Sequence, residues 1–200
     1  MTHKYAAIAF TDKVKTMQDK QNSRKQYEKM ERGDDVNYLL SQQETDFIQA
    51  RDSFYMASVS ETHWPYVQHR GGPKGFLRII DEKTLAFADY AGNRQYISTG
   101  NFTHNNRVSL ILMDYPRKTR LKIYGYIDII ADNDTETLSS LENDNYRARI
   151  ERGFIIRIEA FDWNCPQHIT PRYTDDDIQR MFAPLIAENE ALKAKINTPL

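Results

Sequence analysis

Leu121-Lys122-Ile123-Tyr124-Gly125-Tyr126-Ile127-Asp128-Ile129-Ile130 decides the fold class. Leu121, Ile123, Gly125, Ile127 and Ile129 fall on one parity, and Lys122, Tyr124, Tyr126, Asp128 and Ile130 on the other. A period of two sustained this long makes a β-strand with one face in a core. Gly125, at its centre, has no side chain to pack, so another backbone, a ring or a ligand can come close there.

Residues 153–161 alternate in the same way, with Phe154, Ile156, Ile158 and Ala160 on one side and Arg157 and Glu159 on the other. Upstream, residues 54–59 and 65–69 read as strands joined by a turn at 60–64. Residues 76–80 and 84–88 flank Asp81-Glu82-Lys83 as a hairpin, and 108–113 and 121–131 flank a second hairpin with a basic tip. Six or more strands linked mainly by hairpins favour an antiparallel barrel over a parallel sheet.

Helices surround this block. Thr11 can cap one carrying Val14 and Met17, and Asn22 or Ser23 a second, broken at Gly33-Asp34-Asp35. Ser41 and Glu44 form a capping box ahead of Phe47 and Ile48. This arm, residues 1–46, is too poor in apolar residues for a core of its own and must lie against something else. A short helix spans 134–141. Thr174 and three aspartates open a C-terminal helix over residues 174–200, with Pro184 marking a kink or restart. Ile178, Phe182, Leu185, Asn189, Leu192 and Ile196 are spaced four, three, four, three and four. That heptad seam reads either as a helix docked on its own barrel or as a short coiled coil.

The composition sets limits. Two hundred residues fit one domain with extensions, and 27 basic against 28 acidic residues leave a net charge of −1. A general grip on nucleic acid is not expected, although a local basic pocket is compatible with that balance. No apolar run is long enough to span a membrane, and no secretory leader is visible, so a cytoplasmic location is expected. Cys165 stands alone, which excludes an internal disulfide, and His3, His63, His69, His104 and His168 lack metal-ligand spacing. Twelve tyrosines, nine phenylalanines and two tryptophans are a surplus suited to strands, interfaces and ligand walls.

No phosphate loop, dinucleotide fingerprint or nucleophile elbow is present. Polar groups gather instead at strand ends. His69 and Arg70 precede Gly71-Gly72-Pro73-Lys74-Gly75, and Asp89-Tyr90-Ala91-Gly92-Asn93-Arg94-Gln95 leads into a short helix expected over 95–99 with Asn93 as its cap. An arginine in a helix's first turn opposes the dipole unless an anion shares it; a solvated loop arginine is the plainer reading. Arg120 stands at the entry of the Gly125 strand and can turn inward, whereas Arg117 and Lys118 sit at the hairpin tip.

Ala50-Arg51-Asp52-Ser53-Phe54-Tyr55-Met56-Ala57-Ser58-Val59-Ser60-Glu61, then Trp64-Pro65-Tyr66-Val67-Gln68-His69-Arg70-Gly71-Gly72-Pro73, then Phe87-Ala88-Asp89-Tyr90-Ala91-Gly92-Asn93-Arg94-Gln95, then Arg107-Val108-Ser109-Leu110, form an ordered set. Over residues 47–172 this set resembles the pyridoxamine 5'-phosphate oxidase family. The nearest likeness is to a branch with an N-terminal helical arm and a stretch like Trp163-Asn164-Cys165-Pro166-Gln167-His168-Ile169-Thr170-Pro171-Arg172. The resemblance implies a mainly β fold with flanking helices: an antiparallel split β-barrel of the FMN-binding type, over residues 47–173. It also implies a homodimer with FMN in the interface. Gln68, His69 and Arg70 would lie beside the ring and ribityl chain, Ala88 and Asp89 under the cofactor, and Asn93, Arg94 and Gln95 at the phosphate. Arg120 would reach in from the second subunit, and Trp163 and Arg172 would lie near the flavin.

Departures bear on the substrate. Gln68 and Gln95 replace a phosphate-binding arginine and a lysine of the family, and Arg70-Gly71-Gly72-Pro73 replaces the run carrying the oxidase's substrate lysine. They argue against pyridoxine phosphate. The expectation is an FMN-dependent oxidoreductase acting on another small substrate, with NAD(P)H or a protein as electron donor. His69 is its candidate proton donor, because imidazole titrates near neutral pH. The alternatives are a deazaflavin enzyme, or a non-catalytic flavin- or haem-binding protein on the same barrel.

Overall fold

A computed structural model of the chain describes residues 3–33, 37–131, 133–143, 146–163 and 165–196. Asp34 and Asp35 of the expected break, and Asn164, lie outside them. Seven strands form one sheet: β1 (Ser53–Val59), β2 (Pro65–Gly71), β3 (Arg78–Asp81), β4 (Thr84–Tyr90), β5 (Arg107–Asp114), β6 (Thr119–Ile130) and β7 (Ile150–Trp163). Their order is β2-β1-β5-β6-β7-β4-β3. β1 pairs antiparallel with β2 and β5, β4 with β3 and β7, and β6 with β7.

In a flat sheet of that order β1 and β4 would stand four strand spacings, roughly 19 Å, apart. Yet the rings of Phe54 on β1 and Phe87 on β4 meet edge to face at 5.3 Å. The sheet is therefore rolled into a barrel, with β2 and β3 as the edges on either side of the split. Alternation fills its interior: Phe54 and Met56, Leu85 and Phe87, Val108, Leu110 and Leu112, Leu121, Ile123 and Ile127, and Phe154, Ile156 and Ile158 share one buried cluster.

The strand that decides the class behaves as its pattern requires, with one change. Ile129, expected in the core, is 38% exposed, whereas Ile130 is buried on the opposite face. That outer face is covered at this end: Ile130 packs with Ala86, Ala88 and Leu141, beside α6 (Thr135–Ser140). At Gly125 the group that comes close is backbone. A Cβ there would lie 2.5 Å from the carbonyl oxygen of Arg157, where the β6–β7 register shifts. β3 begins later than expected, because Phe76 and Leu77 are drawn into the core before it.

The N-terminal helices are α1 (Lys4–Ala9), α2 (Asp12–Lys20), α3 (Arg24–Glu31) and α4 (Gln42–Gln49). Tyr5 of α1 stacks on Tyr124 of β6 at 5.1 Å, and Lys122 caps the Tyr5 ring at 4.5 Å while pairing with Asp162 at 3.2 Å. Burial pushes both hydroxyls above the ordinary tyrosine range. Thr11 accepts from the Val14 amide as the cap of α2, but Val14 and Met17 do not form a buried stripe; both are exposed.

α4 is fastened more firmly. Ser41 and Glu44 make the expected capping box. The second Glu44 oxygen accepts from the Trp163 indole at 2.7 Å, and Phe47 meets the Trp163 ring edge to face at 4.8 Å. Burial opposes ionisation of Glu44, but the hydrogen bonds from Ser41 and Trp163 outweigh it and hold the carboxyl below its ordinary value.

The chain divides into two compact units. Met1–Met113 with Arg120–Cys165 hold the barrel and arm, and Asp114–Thr119 with Pro166–Leu200 form the second. In the second unit Arg117 closes on Asp114 at 3.1 Å and the Arg172 guanidinium lies over Tyr115 at 4.9 Å. Its helix α7 (Asp175–Ile196) is capped reciprocally by Thr174 and Asp177 and has no buried residue. Among the described residues no helix is long and apolar enough to cross a membrane.

Two expectations follow for stability. Gly125→Val forces a branched side chain against β7 backbone and should cost about 1–3 kcal/mol, read as a lower urea midpoint. Glu44→Gln should be less stable than the parent at neutral pH. A depressed carboxyl pKa stabilises the fold above the unfolded value and loses that contribution as pH falls through the folded value. The gap between the two proteins should therefore close below about pH 4.

Candidate functional site

One polar pocket opens where the split brings β2 beside the end of β4. Tyr66, Gln68 and Arg70 of β2 line it, with Asp89 and Tyr90 of β4, the 92–96 loop, the first turn of α5 (Ile97–His104) and Glu151 of β7. β2 exposes alternate residues, so the even positions 66, 68 and 70 face the pocket and the odd ones face away.

The centre is an ion-pair lattice. Arg70 donates to Asp89, and Arg152 of β7 reaches the other Asp89 oxygen at 3.5 Å. Asp89 and Arg152 are cross-strand partners in the β4–β7 ladder. Arg152 also donates to Thr99 at 3.1 Å and to Glu151 at 3.4 Å, and its guanidinium stacks over Tyr96 at 4.6 Å. Arg149 and Arg94 approach Glu151 at 3.3 and 3.9 Å. Four guanidiniums thus share two carboxylates, so the lattice as a whole carries two excess positive charges; Arg70, Arg94, Asp89 and Glu151 line the opening, and Arg149 and Arg152 belong to the lattice without lining it. The Arg70 Nε is buried with no hydrogen-bond partner, although its guanidinium is held by Asp89. Burial, joined by the Tyr146 hydroxyl, pushes Tyr90 above the ordinary tyrosine range.

The loop before α5 is bent to fit. Arg94 and Tyr96 both take left-handed backbone, at φ 60° and 55°. For L residues that costs about 1–2 kcal/mol each. Asn93 does not cap a helix at 95; it accepts from the Gln95 amide at 3.3 Å, and the helix begins at Ile97. The residue at the cap position, Tyr96, supplies no side-chain cap. Its hydroxyl instead accepts from Arg94 Nε at 2.9 Å. Ser98 donates to Gln68 Oε1 at 2.8 Å and so ties α5 to β2.

The expected site residues separate into groups. Gln68, Arg70, Asp89, Asn93, Arg94 and Gln95 converge on the pocket. Ala88 does not: with opposite parity to Asp89, it packs with Ala86 and Leu141 on the outer face. His69 is exposed on the other face of β2, edge to face with Tyr55 at 5.6 Å. Trp163 is engaged by Glu44 and Phe47. Arg120 precedes the Leu121–Trp163 pairing, whereas the pocket lies at Asp89–Arg152. Roughly 35 Å of strand separates them, so Arg70, Arg94 and Arg120 do not meet within one chain. Arg172 belongs to the second unit.

Sequence reasoning missed Arg152 and Glu151, which anchor the lattice, and Tyr66, Tyr96, Ser98 and Thr99. The adjacent opposite charges of Glu151 and Arg152 at the start of a strand were visible. Their importance depends on the register that sets Arg152 opposite Asp89.

No curated protein matches the chain. Among solved structures, a candidate pyridoxamine 5'-phosphate oxidase of Lactobacillus delbrueckii is 16% identical over 64% of this chain and 96% of its own, at a TM-score of 0.49. An FMN-binding protein of Syntrophomonas wolfei is 13% identical over 72% of this chain and 96% of its own, at 0.45. The HupZ protein of Group A Streptococcus is 16% identical over 68% of this chain and 100% of its own, at 0.47. These likenesses are distant. The family profile described as pyridoxamine 5'-phosphate oxidase, however, matches residues 40–161, from the start of the α4 cap to the end of the β7 core, and the chain belongs to that family.

Proposed function

We propose that the chain is an FMN-dependent oxidoreductase, active as a homodimer on a small substrate other than pyridoxine phosphate. The observation that carries this reading is the buried, unpartnered Nε of Arg70 in a pocket built on an ion-pair lattice with two excess positive charges. A phosphate dianion matches that excess, and an uncapped α5 N-terminus offers it backbone N–H groups. The residues present therefore fit the phosphate end of FMN.

Bound flavin would supply the redox chemistry, and the protein would supply orientation and charge. Arg70 and the first turn of α5 hold the phosphate. Asp89 and Arg152 keep Arg70 in place, which reduces the entropy lost on binding. Arg94, 69% exposed at its side chain, lies at the mouth and can close over the ligand. Gln68 takes the position of a phosphate arginine in the family, so the load shifts to Arg70.

The dimer is supported by the back of β2. Tyr55 lies between its cross-strand partners His69 and Ile111 on one outer face, and Val67 (62% exposed), opposite Ala57, lies diagonal to it on that face. A contiguous exposed apolar face of this kind suits a second subunit. In such a dimer His69 and Arg120 would act across the seam rather than in their own pocket.

Purified protein titrated with FMN should quench flavin fluorescence. Arg70→Gln should weaken binding roughly ten- to hundredfold, the cost of one buried charge-assisted hydrogen bond, and Arg94→Gln should weaken it less. A chain that fails to bind FMN, or two variants with the parent dissociation constant, removes the reading.

One observation favours a second reading, a flavin carrier without turnover: no histidine, cysteine or lysine lines the pocket among the described residues. Anaerobic NADH or NADPH separates the two. The enzyme should bleach the 450 nm flavin band, at roughly the absorbance of free flavin, within turnover time; a carrier should leave it unchanged.

A further inference from the structure

We propose that α7 pairs with α7 of a second copy of this chain as a parallel, in-register two-stranded coiled coil. The pairing uses no residue of the pocket or of the outer face of β2. α7 is 22 residues long and has no buried residue, yet it carries Ile178, Phe182, Leu185, Leu192 and Ile196, each 44–81% exposed. With Asn189 these residues repeat every three and four positions. Phe182, Asn189 and Ile196 then occupy the a positions, and Ile178, Leu185 and Leu192 the d positions.

The rest of the helix fits that assignment. Met181 and Ile186, its remaining exposed apolar residues, fall at g and e and widen the stripe. Pro184, within the helix, falls at c, away from the seam, so its ring does not enter the contact. Ala183, Ala187, Ala191 and Ala194 fill the outer positions.

Charge and polarity choose the occupant and the direction. In a parallel pair Glu188 at g faces Lys193 at e of the second helix, an opposite-charge contact made twice by symmetry. Asn189 meets its own copy at a, where two amides satisfy each other; a lone buried asparagine in such a seam specifies register and two strands. Reversing one helix about the same centre would set Glu188 against Glu188 and Asn189 against Leu185, leaving the amide unpaired. A helix from an unrelated protein would have to supply both a matching asparagine and a lysine. A second copy supplies both automatically. Fewer than three heptads of seam are too few to hold two isolated helices firmly, so the pair works as an addition to a dimer formed elsewhere.

Cysteine scanning of the full chain tests this. In a Cys165→Ser background, Leu185→Cys and Leu192→Cys are compared with Ala187→Cys, which lies on the outer side. Parallel d positions bring Cβ atoms within disulfide reach. Mild oxidation at micromolar protein should give roughly tenfold more cross-linked dimer at 185 and at 192 than at 187. Sedimentation of the uncross-linked parent accompanies it. A dimer that cross-links at neither position overturns the helix pairing alone. A monomer overturns both it and the barrel dimer. Cross-linking that appears only when Leu185→Cys is mixed with Asn189→Cys overturns the parallel register.

Discussion

The Arg70–Asp89 pair joins strands that the hydrogen-bond ladder keeps apart. β2 is one edge of the sheet, and β4 lies five places away across β1, β5, β6 and β7. Only because the sheet rolls up can a guanidinium on one reach a carboxylate on the other. The contact lies above the Phe87 and Phe154 rings, 5.8 and 5.7 Å from the Arg70 guanidinium carbon. Apolar closure below and ionic closure above are thus two ends of one barrel. The ladder from β4 to β7 adds Arg152 to the second Asp89 oxygen, so a single carboxylate binds three strands. Buried charges of this kind gain little net stability, because desolvation offsets attraction. Their value is positional: they hold cations around an opening that has room for an anion.

The same division between apolar packing and placed polar groups recurs at the other end. Trp163 closes the β6–β7 ladder, and its indole N–H is met by Glu44, a residue of the helical arm. Glu44 also completes the capping box that starts α4. One side chain therefore starts a helix and fastens it to the barrel. Tyr5 and Tyr124 do similar work for α1, stacked under Lys122. The arm has little apolar surface of its own and is held by aromatic and ionic contacts on β6 and β7, while Leu40 and Ile48 enter the barrel's core cluster.

Much of the fold was legible because strands buried on one face alternate. Residues 121–130 and 153–161 announced their parity, and the hairpin turns announced antiparallel pairing. The capping box at Ser41 and Glu44 was readable from spacing alone. Burial on the outer face was not readable. Ile130 and Ala88 are covered because α6 and Leu141 happen to lie there, and no local rule places them. The start of α5 was misread because two L residues, Arg94 and Tyr96, take left-handed backbone that their identities do not advertise. At the site, the alternation of β2 implied that Gln68 and Arg70 share a face and that His69 does not, yet neighbours in sequence were grouped together.

The sequence by itself determined the strand parities, the caps, the antiparallel class and the family, because each depends on residues within a few positions or on an ordered set of motifs. Tertiary structure decided which arginines meet. Arg70, Arg94 and Arg152 converge through the roll of the sheet and the β4–β7 register, while Arg120 is carried to the far end of a long strand. Such convergence joins residues from 19 to 82 positions apart, a relation set by chain closure that no local pattern encodes.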